Sequence, residues 1–243
     1  MTINRKTVII AVSWALVFNT LIFAKDYKVA IMQLPTAESF ASFFRALGDA
    51  TNNTFEIQIV PPARAIYLIE NKQVDIVFPA TVSNDPKKQT GSIFDYSAAR
   101  VFKAVFVLYA NKTKPIDIEE LKRGNTSNYK IETTSSLADM FEFKLLPTTN
   151  LEGSMKKVDN GTIDGFIYAQ EAGDPLLTRL GVGNINRRLY SKNDIAFGIQ
   201  KSENEAEIDK MLKNGVDKLK NNGKLNQILS VSIKNSEYKD WQP

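Results

Sequence analysis

A short sequence pattern occurs twice in this chain, about ninety residues apart. The two copies are Glu70–Phe78 (ENKQVDIVF) and Asp159–Tyr168 (DNGTIDGFIY). Each reads as the polar end of a helix, a turn, a β-branched residue, an Asp and an apolar run, which is typical of a helix followed by a buried strand. Helix, turn and strand in this order make half of an α/β unit. The repeat therefore predicts an α/β chain with two similar lobes.

The ends of the two repeated strands indicate where a ligand would bind. In open α/β sheets, ligands bind beyond the carboxyl ends of the strands. Those ends lead into Pro79–Thr81 in the first copy and Ala169–Glu171 in the second. We therefore expect a central ligand cleft between the lobes.

The first 24 residues have the composition of a secretory signal peptide. Arg5 and Lys6 precede an apolar stretch that ends at the small residue Ala24, as in exported proteins. The stretch is slightly shorter than the roughly 20 residues of a membrane span. We expect a periplasmic protein with a signal peptide at 1–24; a secreted protein, or an uncleaved amino-terminal anchor, is the alternative.

The composition excludes several classes of chemistry. The chain has no histidine and no cysteine, which removes Ser-His-Asp and Cys-His nucleophiles, disulfides and nearly every zinc or copper site. Its formal net charge of +4 is too small to indicate nucleic-acid binding. We expect a monomer without cofactor or metal.

The apolar runs divide the chain into lobes. The strand predicted at Phe102–Tyr109 enters the second lobe near its end, and the strand at Ile195–Ile199 returns to the first. Two such crossings form a natural hinge. The predicted division is a signal peptide at 1–24, a first lobe at 26–106 and 196–243, and a second lobe at 107–195.

One helix is predicted at the start of the second lobe. Ser135 or Ser136 would cap it, and Leu137, Met140 and Phe141 would form its apolar face. A helix amino terminus presents free N–H groups to an anionic ligand group.

The chain resembles the periplasmic solute-binding proteins that serve amino-acid ABC transporters, solute-binding protein family 3. The resemblance covers nearly everything after Ala24 and is strongest over Ile195–Leu229, where the strand IAFGI leads through QKS to a long helix, then NNGKL and a final helix. The two repeats also match, one in each lobe. The resemblance implies the two-lobe, type II periplasmic binding fold, with two hinge strands that let the lobes close on a small ligand.

The ligand residues of that family match this chain poorly. Lys87 lies where the family carries an Arg for the ligand carboxylate, and lysine cannot form the two-pronged contact of a guanidinium. Ala169 or Gln170, followed by Glu171, stands where the family carries an Asp for the ligand amino group. These departures indicate a ligand other than an ordinary α-amino acid.

Ten residues near the predicted strand ends are candidate ligand contacts. They are Gln33, Arg64, Thr81, Ser83, Lys87, Ser135, Ser136, Tyr168, Gln170 and Glu171. Six of them have a structural alternative: turn hydrogen bonds for the threonine at 81 and the serine at 83, helix capping for the serines at 135 and 136, a surface ion pair for the arginine, and an ordinary loop carboxylate for the glutamate.

The repeated aspartates Asp75 and Asp164 have a structural interpretation. Each lies at the amino-terminal end of its strand, away from the predicted cleft, where a carboxylate accepts backbone hydrogen bonds.

Three functions fit these observations. The first is a solute-binding protein that delivers a small polar ligand to an ABC transporter permease. The second is a sensing module for a membrane receptor. The third is a dehydratase on the same fold with Glu171 as its acid; because no second catalytic group is evident, we expect no enzymatic activity.

Overall fold

The computed structural model describes residues 25–84, 93–125, 128–135, 137–141 and 143–243. Lys87, Ser136 and the predicted signal peptide lie outside these residues. The described strands are β1 Asp26–Met32, β2 Thr54–Val60, β3 Ile76–Thr81, β4 Asp95–Tyr96, β5 Phe102–Asn111, β6 Ile131–Thr134, β7 Leu146–Thr148, β8 Gly165–Ala169 and β9 Ile185–Ile199. The described helices are Ala37–Thr51, Pro62–Glu70, Ile118–Lys122, Leu151–Asp159, Gln170–Leu180, Glu205–Asn221, Lys224–Ile228 and Ser230–Lys234, with a 3-10 helix at Ala138–Met140. Within this part of the chain, no helix is long and apolar enough to cross a membrane.

The strands form one sheet in the order β2-β1-β3-β9-β5-β8-β6-β7, with β4 paired to β9. In the first lobe β1 runs parallel to β2 and β3. In the second lobe β6 runs parallel to β7 and β8 in the same manner. The mixed α/β, two-lobe fold expected from the sequence is confirmed.

An aromatic core holds the first lobe together. The helix Ala37–Thr51 carries Phe40, Phe43, Phe44 and Leu47 on one face, at the spacing of an amphipathic helix. These rings pack on Phe78 and Phe197, with ring centroids 5.0 Å apart for Phe40 and Phe78 and 5.1 Å apart for Phe78 and Phe197.

Two long antiparallel strands, β5 and β9, join the lobes. They pair from Phe102↔Ile195 to Asn111↔Ile185. Ala104 contacts the cores of both lobes, whereas the next residue, Val105, packs on the second. The two cores therefore meet at this part of β5, and the predicted division of the chain into lobes stays a prediction. The return strand is longer than predicted, because it begins at Ile185.

The helix predicted after Ser135 is wrong. Its described residues form the 3-10 helix Ala138–Met140, whose amino-terminal capping residue is Leu137. Beyond it Phe141, Phe143 and Leu145 are buried in one cluster. These side chains fill the core that a helix was expected to fill.

The repeated aspartates make the same contacts in both lobes. Asp75 accepts a hydrogen bond from the Lys28 backbone N–H (2.8 Å) and donates its own N–H to the Lys28 carbonyl (2.9 Å). Asp164 does the same with Lys130, at 2.7 Å and 2.9 Å. Each aspartate therefore ties the repeated strand to the first strand of its lobe, which agrees with the structural interpretation.

Candidate ligand-binding cleft

The cleft is formed where the parallel strands of each lobe end. On the first lobe the loop after β1 carries Gln33 and Thr36, and β3 leads into Ser83. On the second lobe β6 leads into Ser135, and β8 leads directly into the helix Gln170–Leu180. Strand order thus places polar residues of the two lobes at a common edge.

Two contacts join the lobes across this edge. The Ser83 hydroxyl donates to the Met140 carbonyl at 3.4 Å, so the end of β3 meets the 3-10 helix of the second lobe. The Thr36 hydroxyl lies beside the Glu171 carboxylate and lowers its pKa, so the loop after β1 meets the helix after β8. The lobes are therefore in contact at the cleft in this structure.

Glu171 is the half-buried acid of the cleft. It accepts a hydrogen bond from the Ser232 hydroxyl, 3.4 Å away, and the Thr36 hydroxyl lies on its other side. Burial raises the pKa of the Glu171 carboxyl, and these hydroxyls oppose the rise. This carboxylate has lost part of its hydration, so an ion pair with a cationic ligand group would stabilise it strongly.

Arg64 lies at the start of the helix Pro62–Glu70, directly after β2. Its side chain is exposed, and its guanidinium lies 4.8 Å from the ring centre of Tyr67. Tyr67 is itself 47% exposed. The two side chains form a cation–π pair at the surface, so the guanidinium is accessible to a ligand carboxylate or phosphate.

Tyr168 and Gln170 occupy the second lobe rather than the cleft. Tyr168 is buried in the lobe core and packs against Phe166, with ring centroids 5.5 Å apart. The Gln170 side chain is 1% exposed and hydrogen-bonds Arg187 and the carboxyl-terminal backbone. Neither side chain is available to a ligand here, because packing and internal hydrogen bonds hold both.

The remaining candidates have mixed environments. Ser135 is exposed and donates to the Thr148 carbonyl at 3.4 Å, which links the ends of β6 and β7. Thr81 is half-buried in the last position of β3, and Gln33 is exposed. Among the described residues, the contacts across this edge bring Ser83 to Met140 and Thr36 to Glu171.

The sequence reasoning overlooked Thr36 and Arg187. Thr36 follows the strand end Gln33-Leu34-Pro35. The rule that ligands bind beyond the carboxyl ends of strands could therefore have selected it. Arg187 lies in a polar stretch that was not predicted as a strand, and its burial (0% exposed) had no signal in the hydrophobic pattern.

Two surface cavities lie beside the second lobe. One of about 720 Å³ lies between the helices Gln170–Leu180 and Ser230–Lys234 and is lined by Glu171 and Trp241. Another of about 450 Å³ lies beside the helix Ile118–Lys122. Among the described residues, no group of three or more acidic side chains is arranged to hold a metal ion.

Comparisons with known proteins identify the fold. No family model and no curated protein sequence matches the chain. Many solved structures match with high probability. A histidine kinase sensor domain with similarity to periplasmic binding proteins aligns at a TM-score of 0.64 and 12% identity, over 84% of this chain and 94% of that one.

Two further structures represent transport and enzyme lineages. An ABC uptake transporter substrate-binding protein from Streptococcus pneumoniae with bound histidine gives a TM-score of 0.62 at 13% identity, over 84% of this chain and 91% of that one. An ancestral amino acid-binding protein, described as a precursor of cyclohexadienyl dehydratase, gives 0.59 at 13%, over 86% and 95%. The chain therefore has the two-lobe fold of the periplasmic binding proteins, and the resemblance predicted from the sequence is confirmed at the level of the fold.

Proposed function

We propose that this protein is a periplasmic solute-binding protein that captures a small polar, amino-acid-like ligand between its lobes and delivers it to an ABC transporter permease. The main support is the half-buried carboxylate of Glu171, which lies beside the Thr36 hydroxyl of the opposite lobe. A group that both lobes contact is suited to hold a ligand on which they close.

The chemistry near the cleft favours a ligand with a cationic group. Glu171 would pair with that group, and the Thr36 and Ser83 hydroxyls would bind its polar neighbours. Arg64, exposed at the end of β2, would contact an anionic group of the same ligand. A charge-assisted hydrogen bond in a partly buried site is stronger than a neutral one, so Glu171 would contribute most to affinity.

A thermal-shift screen of amino acids, polyamines, organic acids and short peptides tests this proposal. A true ligand at about 100 times its Kd stabilises the folded state by about 2.7 kcal/mol, which raises Tm by roughly 5–10 °C in a chain of this size. Glu171→Gln should weaken the same ligand at least about tenfold. Glu56→Gln, an exposed carboxylate on β2, is the matched control and should bind normally. A screen in which no compound raises Tm would contradict the proposal.

A sensing role is the second candidate. It draws support from the alignment with the histidine kinase sensor domain, and it uses the same ligand cleft. Crosslinking of the ligand-loaded protein to membranes of its source, followed by mass spectrometry, separates the two roles: capture of a permease supports delivery, and capture of a kinase or receptor supports sensing.

A dehydratase is the third candidate. Burial raises the pKa of Glu171, and a carboxyl with a raised pKa is able to act as a proton donor near neutral pH. We expect no turnover of prephenate or arogenate when the products are followed by mass spectrometry. Turnover that Glu171→Gln abolishes would replace the binding proposal by an enzymatic one.

A further inference from the structure

The last residues of the chain run from the first lobe to the second. The helices that precede them contribute the buried Leu225 and Leu229, and the partly buried Ile233, to the first-lobe core. Tyr238 and Trp241 pack instead on the second-lobe core. Residues 234–242, called here the C-terminal strap, therefore cross between the lobes, although the predicted division assigned them to the first lobe.

Arg187 anchors the strap on the second lobe. Its side chain is fully buried and pairs with both carboxylate oxygens of Asp174, at 2.8 and 2.7 Å. It also donates to the backbone carbonyls of Lys239 (2.8 Å) and Trp241 (2.7 Å). The guanidinium lies 4.5 Å from the centre of the Trp241 ring. Ionic, hydrogen-bonding and cation–π contacts thus converge on one buried cation, which gives the anchor a fixed geometry.

Gln170 and Glu171 connect the strap to the cleft. The Gln170 amide accepts a hydrogen bond from the Lys239 backbone N–H (2.9 Å) and donates to the Glu237 carbonyl (2.9 Å). The next residue, Glu171, accepts from Ser232, in the last helix before the strap. A movement of the second lobe away from the first would therefore stretch the strap and bend the two hinge strands.

We propose that the C-terminal strap is a third link between the lobes and that it limits how far the cleft opens. The proposal rests on the hinge bending of the proposed function, but it concerns the geometry of the protein without ligand. The strap is short, since the first-lobe anchor Ile233 and the second-lobe anchor Tyr238 are separated by only a few residues. A short tie between two anchors restricts the open state more than the closed one, and so shifts the population toward closure.

A Gly-Gly-Ser insertion after Ser236 tests this proposal, because it adds slack between the two anchors and leaves both in place. The chain has no cysteine, so Glu38→Cys on the first lobe and Lys156→Cys on the second give one specific pair of spin labels, on exposed helical positions. Pulsed electron paramagnetic resonance then measures the distribution of distances between the lobes. We expect the ratio of open to closed molecules to rise by roughly tenfold, because the added slack removes the restraint that the strap places on the open state, a minor state of roughly 0.1–10% population.

The matched control is the same insertion after Gly124. Gly124 lies in an exposed turn where nothing approaches within 4 Å of an added Cβ, so the control should leave the distances unchanged. An equal thermal midpoint of both insertion variants and the parent protein confirms that the chain remains folded. Trp241 fluorescence equal to that of the parent confirms that the strap is still anchored.

An unchanged distance distribution in the anchored Ser236 insertion would overturn the strap proposal, even if a ligand is found. A shifted distribution with no ligand in the thermal screen would support the strap and contradict the binding function. The two proposals therefore fail on different readouts.

Discussion

The two lobes share one scaffold but differ in how the first strand continues. In both, an aspartate before the repeated strand exchanges hydrogen bonds with a lysine backbone of the first strand, Asp75 with Lys28 and Asp164 with Lys130. After β1 the chain forms the 15-residue helix Ala37–Thr51. After β6 the described residues form a three-residue 3-10 helix.

This difference shows which parts of the repeat are structural and which belong to the cleft. The aspartate contacts lie at the start of the repeated strands and recur because both lobes need the same strand pairing. The segments after the first strands lie at the edge where the lobes meet, and among the described residues Thr36 and Met140 there contact the opposite lobe. The sequence repeat therefore marks the scaffold, and the departures from it mark the ligand-binding edge.

The largest expected effect concerns the buried cation of the second lobe. Arg187→Ala leaves Asp174 buried and without its ionic partner, which should cost about 3–5 kcal/mol of unfolding free energy. Lys213→Ala is the control, since it removes an ion pair exposed on both sides and should cost less than about 1 kcal/mol. Chemical denaturation measures both values. Equal losses in the two variants would show that the strap anchor adds nothing to the stability of the second lobe.

The next effect compares the aromatic groups that fill the two cores. Phe43→Ala removes a fully buried ring beneath a long helix and should cost about 3–5 kcal/mol. Phe143→Ala removes a ring that is 7% exposed in an irregular segment, where the backbone relaxes more easily, and should cost about 1–2 kcal/mol less. Denaturant unfolding followed by circular dichroism measures the difference. A larger loss for Phe143→Ala would show that the irregular segment is packed as rigidly as the helix.

Replacing either repeated aspartate should have a smaller effect on the unfolding free energy, and the two effects should be nearly equal. Asp75→Ala and Asp164→Ala each remove a carboxylate that accepts a backbone N–H, and each should cost about 1–3 kcal/mol. Asp164 also forms an ion pair with Lys114 at 3.0 Å, so its loss should be greater by up to about 1 kcal/mol. Urea titrations of the two variants decide this point. A loss confined to one of them would break the structural equivalence of the two repeats.

The smallest effect is the pH dependence that Glu171 contributes. Because burial raises its pKa in the folded protein above the ordinary value of 4.5, the folded state binds this proton more tightly than the unfolded state. The resulting stabilisation is fully present below pH 4.5 and is lost as pH rises through the folded-state pKa. Glu171→Gln should therefore gain stability relative to the parent protein between about pH 4 and pH 7, as measured by thermal unfolding across that range. Parallel pH profiles for the variant and the parent would contradict this assignment.

The sequence predicted the parts of the fold that depend on local patterns. The two repeats, the helix with Phe40, Phe43 and Phe44 on one face, and the role of the aspartates all follow from periodicity and turn chemistry. The first half of β9 did not follow, because Asn186, Arg187 and Arg188 give no apolar alternation. Its strand conformation comes from pairing with β5, a long-range effect that overrides local propensity.

The sequence indicated which residues follow the strand ends, but not how their side chains are engaged in the folded protein. The rule that ligands bind beyond the carboxyl ends of strands selected Glu171 and Ser83. Both residues lie at contacts between the lobes. The same rule also selected Gln170, whose side chain is occupied by the C-terminal strap. That outcome depends on a segment more than sixty residues away in sequence, and no local pattern reports it. The ligand roles of all ten candidates stay predictions: Gln33, Arg64, Thr81, Ser83, Lys87, Ser135, Ser136, Tyr168, Gln170 and Glu171.

The most direct test of the central claim is native mass spectrometry of the freshly purified protein beside its Glu171→Ala variant. Closed two-lobe proteins with tight ligands retain them, so we expect a single small-molecule mass on the parent protein and little or none on the variant. Restoring the ligand to the variant should require at least about tenfold more compound. A parent protein free of any ligand mass in repeated preparations, or equal retention by both proteins, would contradict a solute site built on Glu171.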